Sequence, residues 1–92
     1  GIYAMPTISV FYGIVIQMYW RDHNPPHFHA YYQGHEALVS IDTGELIAGQ
    51  MSPGPRRILK DWALRHQSEL LTNWERCILR IPLNTIRGAD EE

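Results

Sequence analysis

Apolar and polar residues alternate with a period of two over Ile14 to Arg21 and again on both sides of Gln33-Gly34, then change to a helical period after Pro55. The first stretch, Ile-Val-Ile-Gln-Met-Tyr-Trp-Arg, is rich in the β-branched and aromatic residues that suit a pleated surface. Alternation predicts that Ile14, Ile16, Met18 and Trp20 face the core, leaving Val15, Gln17, Tyr19 and Arg21 on the other side, with Gly13 allowing the bend into the strand. Asp22 to Pro26 reads as a turn, because Pro25 and Pro26 lack amide donors and Pro26 turns its predecessor away from helix.

A second strand starts at His27, and Gln33-Gly34 supplies a two-residue hairpin turn into a third. Pairing Tyr32 with His35 sets Ala30 against Ala37 and Phe28 against Val39 on an apolar side. The other side then holds Tyr31 against Glu36, His29 against Leu38 and His27 against Ser40. Turn chemistry and hydrophobic pattern agree on this register. Asp42 to Glu45 is a further turn, and Leu46 to Ala48 a short additional strand.

Gly54 is a candidate cap and Pro55 a candidate first helical residue. Ile58, Leu59, Trp62, Ala63 and His66 form one stripe at helical spacing, and Leu70, Leu71, Trp74, Cys77 and Ile78 form another. One helix of about 26 residues would be roughly 39 Å long, too long for so small a domain, so a break is expected near His66 to Ser68 with Ser68 as cap. Pro82 ends the second helix, and Leu83 to Ile86 is expected as a short closing strand. The fold class expected is α+β: a small antiparallel β-meander of three to four strands packed against C-terminal helices. It occupies 5–87, with 1–4 a non-native remnant or disordered start ahead of Met5 and 88–92 a frayed acidic tail.

Ninety-two residues with 45% apolar content suffice for one core and no separate cofactor domain. A formal charge of −2 excludes gripping nucleic acid by bulk charge, although seven of the eight Lys and Arg fall between Arg56 and Arg87. The single Cys77 cannot form an internal disulfide, and no stretch reads as a signal peptide or membrane span, so a cytoplasmic protein is expected.

The chemistry is concentrated in Arg21-Asp22-His23-Asn24-Pro25-Pro26-His27-Phe28-His29, which holds three of the five histidines. His27 and His29, two residues apart on one strand, point the same way with roots roughly 7 Å apart, and His23 is the natural third ligand of a divalent metal such as zinc. The same histidines suit a metal-free acid–base site, with His23, His27 and His29 moving protons and Arg21 steadying negative charge, as RNA cleavage by 2′-hydroxyl attack requires; on that reading no cofactor is expected. Tyr19, Tyr31 and Glu36 flank the histidines as binding residues. Arg56, Arg57 and Lys60, on the polar side of the first helix, could meet phosphates or an acidic partner. Trp62 and Trp74 belong to the core, and His35 faces away from the site.

Met5-Pro6-Thr7-Ile8-Ser9, Phe11-Tyr12-Gly13-Ile14, the block from Arg21 to His29, Ile41-Asp42-Thr43-Gly44-Glu45, Trp62 and Asn73-Trp74-Glu75 together resemble the bacterial family called domain of unknown function 4160, from Met5 to about Ile86. The resemblance implies a small bacterial protein encoded beside another short one, of the domain of unknown function 2442 type, in a two-gene arrangement similar to toxin–antitoxin pairs. It implies a partner and a toxin or antitoxin role. RNA cleavage is then the first chemistry to test, against a non-catalytic binding protein or a small metal-binding protein, with a homo-oligomer also open. It carries over no catalytic residues, so the site rests on this sequence's own geometry.

Overall fold

Two X-Gly pairs set two hairpins in the N-terminal half of the chain. Tyr12 and Gly13 have φ of 51° and 78°, and Gln33 and Gly34 have 46° and 79°, the doubly positive pattern of the tight turns whose twist matches that of the flanking strands. The computed structural model describes residues 6–20 and 22–92. In it β1 (Thr7–Phe11), β2 (Ile14–Gln17), β3 (His27–Tyr32), β4 (His35–Ser40) and β5 (Leu46–Gly49) lie side by side in chain order as one antiparallel meander. The β3–β4 pairing is the expected one at every position, from His27 opposite Ser40 to Tyr32 opposite His35.

The sheet has five strands where three to four were expected, because β1 was not foreseen. It pairs with β2, Phe11 opposite Ile14 and Val10 opposite Val15, and buries Ile8 and Phe11. At the far edge, β5 runs so close to β4 that a Cβ on Gly49 would lie 2.1 Å from the Glu36 carbonyl oxygen. Only glycine fits there, and Gln50 donates its amide to that same carbonyl.

Two helices follow, α1 (Pro53–Arg65) and α2 (Gln67–Leu79), separated at His66. The break falls where it was expected, and the molecule's longest dimension, 34 Å, explains why one continuous helix does not fit. The details differ from expectation. Ser52 is the cap of α1, Pro53 is its first residue, and Ser68 lies inside α2, which begins beyond His66 without a side-chain cap bond. Leu71 and Ile78 are exposed, so the buried stripe of α2 is Leu70, Asn73, Trp74 and Cys77.

α1 lays Leu59, Trp62 and Ala63 on the apolar face of the sheet. Trp62 has no exposed surface; its ring packs 4.8 Å from Phe11 and 5.7 Å from Phe28, and its indole N–H donates to the Arg87 carbonyl at 2.9 Å. No helix among the described residues is long and apolar enough to cross a membrane.

Leu83 to Ile86 is not a strand. The segment is held by the fully buried Asn73, whose amide nitrogen donates to the Asn84 carbonyl and whose oxygen accepts the Asn84 amide, both at 2.8 Å, and by the Ile86 amide donating to Ile8. Residues 88–92 do not fray either. Ala89–Glu91 form one 3-10 turn, and Glu92 bonds both His66 and Arg65.

That clasp makes stability depend on pH. Burial works against charging His66, but the hydrogen bonds and charges of Glu69 and Glu92 outweigh it and raise its pKa above the usual 6.5, while the His66 hydrogen bond chiefly holds Glu92 below 4.5. A raised imidazole pKa stabilises fully below about 6.5 and fades as pH climbs through the raised value. A lowered carboxyl pKa stabilises above about 4.5 and fades as pH falls through the lowered one. The clasp therefore contributes most between these limits. His66→Gln is expected to lower the denaturant midpoint clearly at about pH 5.5 and progressively less toward about pH 9. An equal loss at both would contradict the clasp.

Candidate metal centre

Strand alternation sends Phe28 and Ala30 of β3 into the apolar layer and His27 and His29 to the opposite face, as expected. That face is not open. His27 is 5% exposed and His29 9%, because the chain after β2 folds back over them. The Tyr19 ring meets the His29 ring edge-on at 4.0 Å, and Trp74 of α2 lies 5.3 Å from His27. Trp74 is both a core residue and a wall of the site.

The third member is Asp22, not His23. One carboxylate oxygen, Oδ2 of Asp22, lies 3.0 Å from Nε2 of His27 and 3.0 Å from Nε2 of His29. Asp22, His27 and His29 each offer a ligand atom, all within 4.8 Å of one another, and they form the one such group among the described residues. His23 is exposed, and it is its backbone amide that meets the site, donating to Oδ1 of Asp22 at 3.2 Å. The turn that was expected to bring His23 to the site delivers the Asp22 carboxylate instead, and the His23 side chain is exposed. Arg21, expected to steady negative charge, lies outside the described residues.

The outer nitrogens fix where the protons sit. Nδ1 of His27 lies 2.8 Å from the Pro25 carbonyl and Nδ1 of His29 lies 2.9 Å from Oε2 of Glu36; both partners only accept, so both Nδ1 atoms carry hydrogen and donate. A neutral imidazole with its proton on Nδ1 presents a lone pair at Nε2. Both lone pairs therefore converge on an anionic oxygen, an arrangement that is repulsive unless each ring takes a second proton or a cation lies between them. A backbone carbonyl and a carboxylate on Nδ1 are also the outer partners that orient metal-bound histidines.

Around this core the hydrogen bonds continue outward. Tyr31 shares a hydrogen bond with the Tyr19 hydroxyl. Its phenol is pushed well above the usual range, first by burial and then by Tyr19 and Glu36. The His29 hydrogen bond, against partial burial and with help from Tyr31, holds Glu36 below the usual carboxylate range. Burial opposes ionising Asp22, while the His23 amide, together with His29 and His27 when their rings are protonated, lowers its pKa. Tyr19, Tyr31 and Glu36 thus join the histidines as expected.

Arg56, Arg57 and Lys60 do not. They are exposed on α1, which covers the other face of the sheet, and Lys60 is paired with Glu45 at 2.5 Å. All four ring nitrogens of His27 and His29 lie within 3.0 Å of protein oxygens. A cavity of about 210 Å³ opens beside Asp22, lined also by Tyr19, Trp74, Cys77, Ile78 and Arg80, of which Tyr19 alone was expected as a site residue. Burial, with the Asp22 charge, pushes the Cys77 thiol up to about 11, so it is protonated at neutral pH.

A family model described as "Domain of unknown function (DUF4160)" matches residues 13–75. No curated protein and no solved structure matches the chain.

Proposed function

The chain belongs to the domain of unknown function 4160 family, and since that membership brings no reaction with it, we propose from the site itself that this is a metal-binding protein with a mononuclear centre at Asp22, His27 and His29. The observation that carries the reading is the convergence of two lone-pair nitrogens on one carboxylate oxygen, each at 3.0 Å, while both outer nitrogens are committed to acceptors. Two donors tetrahedrally placed on zinc, at about 2.0–2.1 Å each, lie roughly 3.3 Å apart, close to the 3.0 Å of each nitrogen–oxygen pair, and the three ligand atoms lie within 4.8 Å of one another. A divalent ion and two added protons satisfy the same arrangement electrostatically. The ion does so with both rings neutral, the form in which each Nε2 lone pair is a donor.

Two nitrogens and one carboxylate oxygen suit zinc or another first-row transition ion. Three protein donors are the number found in catalytic zinc sites, where closed structural sites have four. A metal so held supplies Lewis acidity to a water or substrate oxygen approaching from the cavity beside Asp22. The chain's own residues do the rest: Pro25 and Glu36 orient the rings, Tyr19 and Trp74 exclude bulk water, and Asp22 offsets charge. The toxin–antitoxin-like module and its neighbouring partner are supported by the family resemblance alone. On this geometry an RNA-cleaving toxin would depend on its metal, and a non-catalytic role would use the same centre as a structural anchor.

Protein purified without an affinity tag, freed of metal and titrated with zinc, is expected to take up one equivalent per chain. Absence of saturable uptake at neutral pH would refute the metal centre.

A further inference from the structure

We infer that Arg80 receives a phosphoryl group of the substrate, in the cavity it shares with Asp22; this rests on the reading of Asp22, His27 and His29 as a metal centre for what the far side of that group meets. Arg80 is the one cation among the cavity's lining residues. It makes no ion pair with any carboxylate among the described residues, Asp22 included, although both line the same space. Lys60 is committed to Glu45, Arg65 to Asp61 and Glu92, and Arg76 to the Pro82 carbonyl, whereas Arg56 and Arg57, which like Arg80 make no ion pair among the described residues, lie on α1 and do not line this cavity. The exposed Arg80 and Asp22, the member of the candidate centre that lines the cavity, thus face it without being paired to each other.

The backbone places Arg80 there by an uncommon route. It caps α2 at φ 58° and ψ 40°, a left-handed conformation where glycine is the favoured residue, and its amide closes the helix onto Arg76 and Cys77. The side chain is thus carried at a position where the fold alone would be served as well by none.

The cavity, at about 210 Å³, is smaller than the roughly 300–1,000 Å³ pockets that enclose whole drug-sized ligands. It takes a group of a substrate and leaves the remainder against the exposed Ile78 and Leu79 beside it. A guanidinium fork matches an oxyanion. Of the common oxyanions, a phosphoryl group has three oxygens to divide between Arg80 and a metal, whereas both oxygens of a carboxylate are used by the fork alone. A phosphate ester with an apolar or planar neighbouring group fits the charge and the walls.

The test uses the full chain, with and without zinc, and inorganic phosphate or acetate as probe, with affinity read by calorimetric titration. Arg80→Gly removes the side chain and suits the left-handed backbone, so it retains the fold and the zinc stoichiometry. It is expected to weaken phosphate binding at least 10-fold, while Arg57→Ala, on exposed α1, leaves it unchanged and acetate binds more weakly than phosphate. Equal phosphate affinity in Arg80→Gly, an equal loss in Arg57→Ala, or acetate binding as tight as phosphate overturns the inference. If zinc is not taken up, Arg80-dependent phosphate binding by the metal-free chain still supports Arg80 and sinks only the metal reading, and absence of that dependence sinks both.

Discussion

Asp22→Ala is expected to lower zinc affinity on the order of 100-fold or more while leaving the fold in place. The carboxylate is the only oxygen donor in the group, and its Oδ2 is the point on which both Nε2 atoms converge. Changing an outer partner of a metal-bound histidine typically costs about 10–100-fold in affinity, so loss of a direct donor belongs above that range and Glu36→Gln within it. Asp22 sits in a turn outside the sheet and the helices and contributes no apolar packing, so circular dichroism and the unfolding midpoint of the metal-free variant should change little. His23→Ala is the control. Its ring is exposed and outside the cluster, and its substitution should leave zinc affinity unaltered. Zinc titrations in which His23→Ala loses as much as Asp22→Ala would return the site to the all-histidine arrangement expected from the sequence.

The largest effect on stability is expected from Trp62→Ala, about 3–5 kcal/mol. Trp62 is fully buried between Phe11 of β1 and Phe28 of β3, so its loss opens a cavity beneath both an edge and a central strand. It also frees the Arg87 carbonyl, which accepts the Trp62 indole N–H. Domains have roughly 5–15 kcal/mol in all, so the variant should be marginal at room temperature. Each kcal/mol moves the midpoint of a domain this size by roughly 4–8 °C, and the melting temperature should drop by tens of degrees. Trp62→Phe keeps most of the packing and loses the N–H bond, and should cost nearer 1–2 kcal/mol. A denaturant titration giving Trp62→Ala a loss below about 1 kcal/mol would mean that α1 does not seat on the sheet as described.

Where two independent signals constrained the same residues, the sequence was enough to read the fold. The β3–β4 register follows from a turn at Gln33-Gly34 and from a hydrophobic pattern that flips entirely with a one-residue slip, and so the two histidines were correctly placed on one face. Glu36 was within reach of His29 from that register alone, as its diagonal neighbour across the hairpin. Where a single weak signal existed, the reading failed. β1 is an edge strand of five residues with no strict alternation, and only the Tyr12-Gly13 pair, homologous in form to Gln33-Gly34, marks it.

The site was half legible for a related reason. Strand periodicity orients His27 and His29, but no periodicity governs the path from Asp22 to Pro26, so the sequence could not choose between Asp22 and His23. Nor could it show that the face opposite the apolar core is covered. Trp74 was assigned to the core from its helical stripe, which is correct, yet the same ring also reaches His27 because α2 runs past the end of β3. Arg80 carried no signal, since no spacing in the sequence shows that the left-handed end of α2 carries it to the cavity beside Asp22.

Nitrogen NMR of the imidazole rings during zinc titration of the wild-type chain tests the centre atom by atom. One equivalent should shift Nε2 of His27 and His29 alone among the five histidines, with both Nδ1 atoms keeping their protons. Rings already protonated on both nitrogens at neutral pH, and indifferent to zinc, would contradict it.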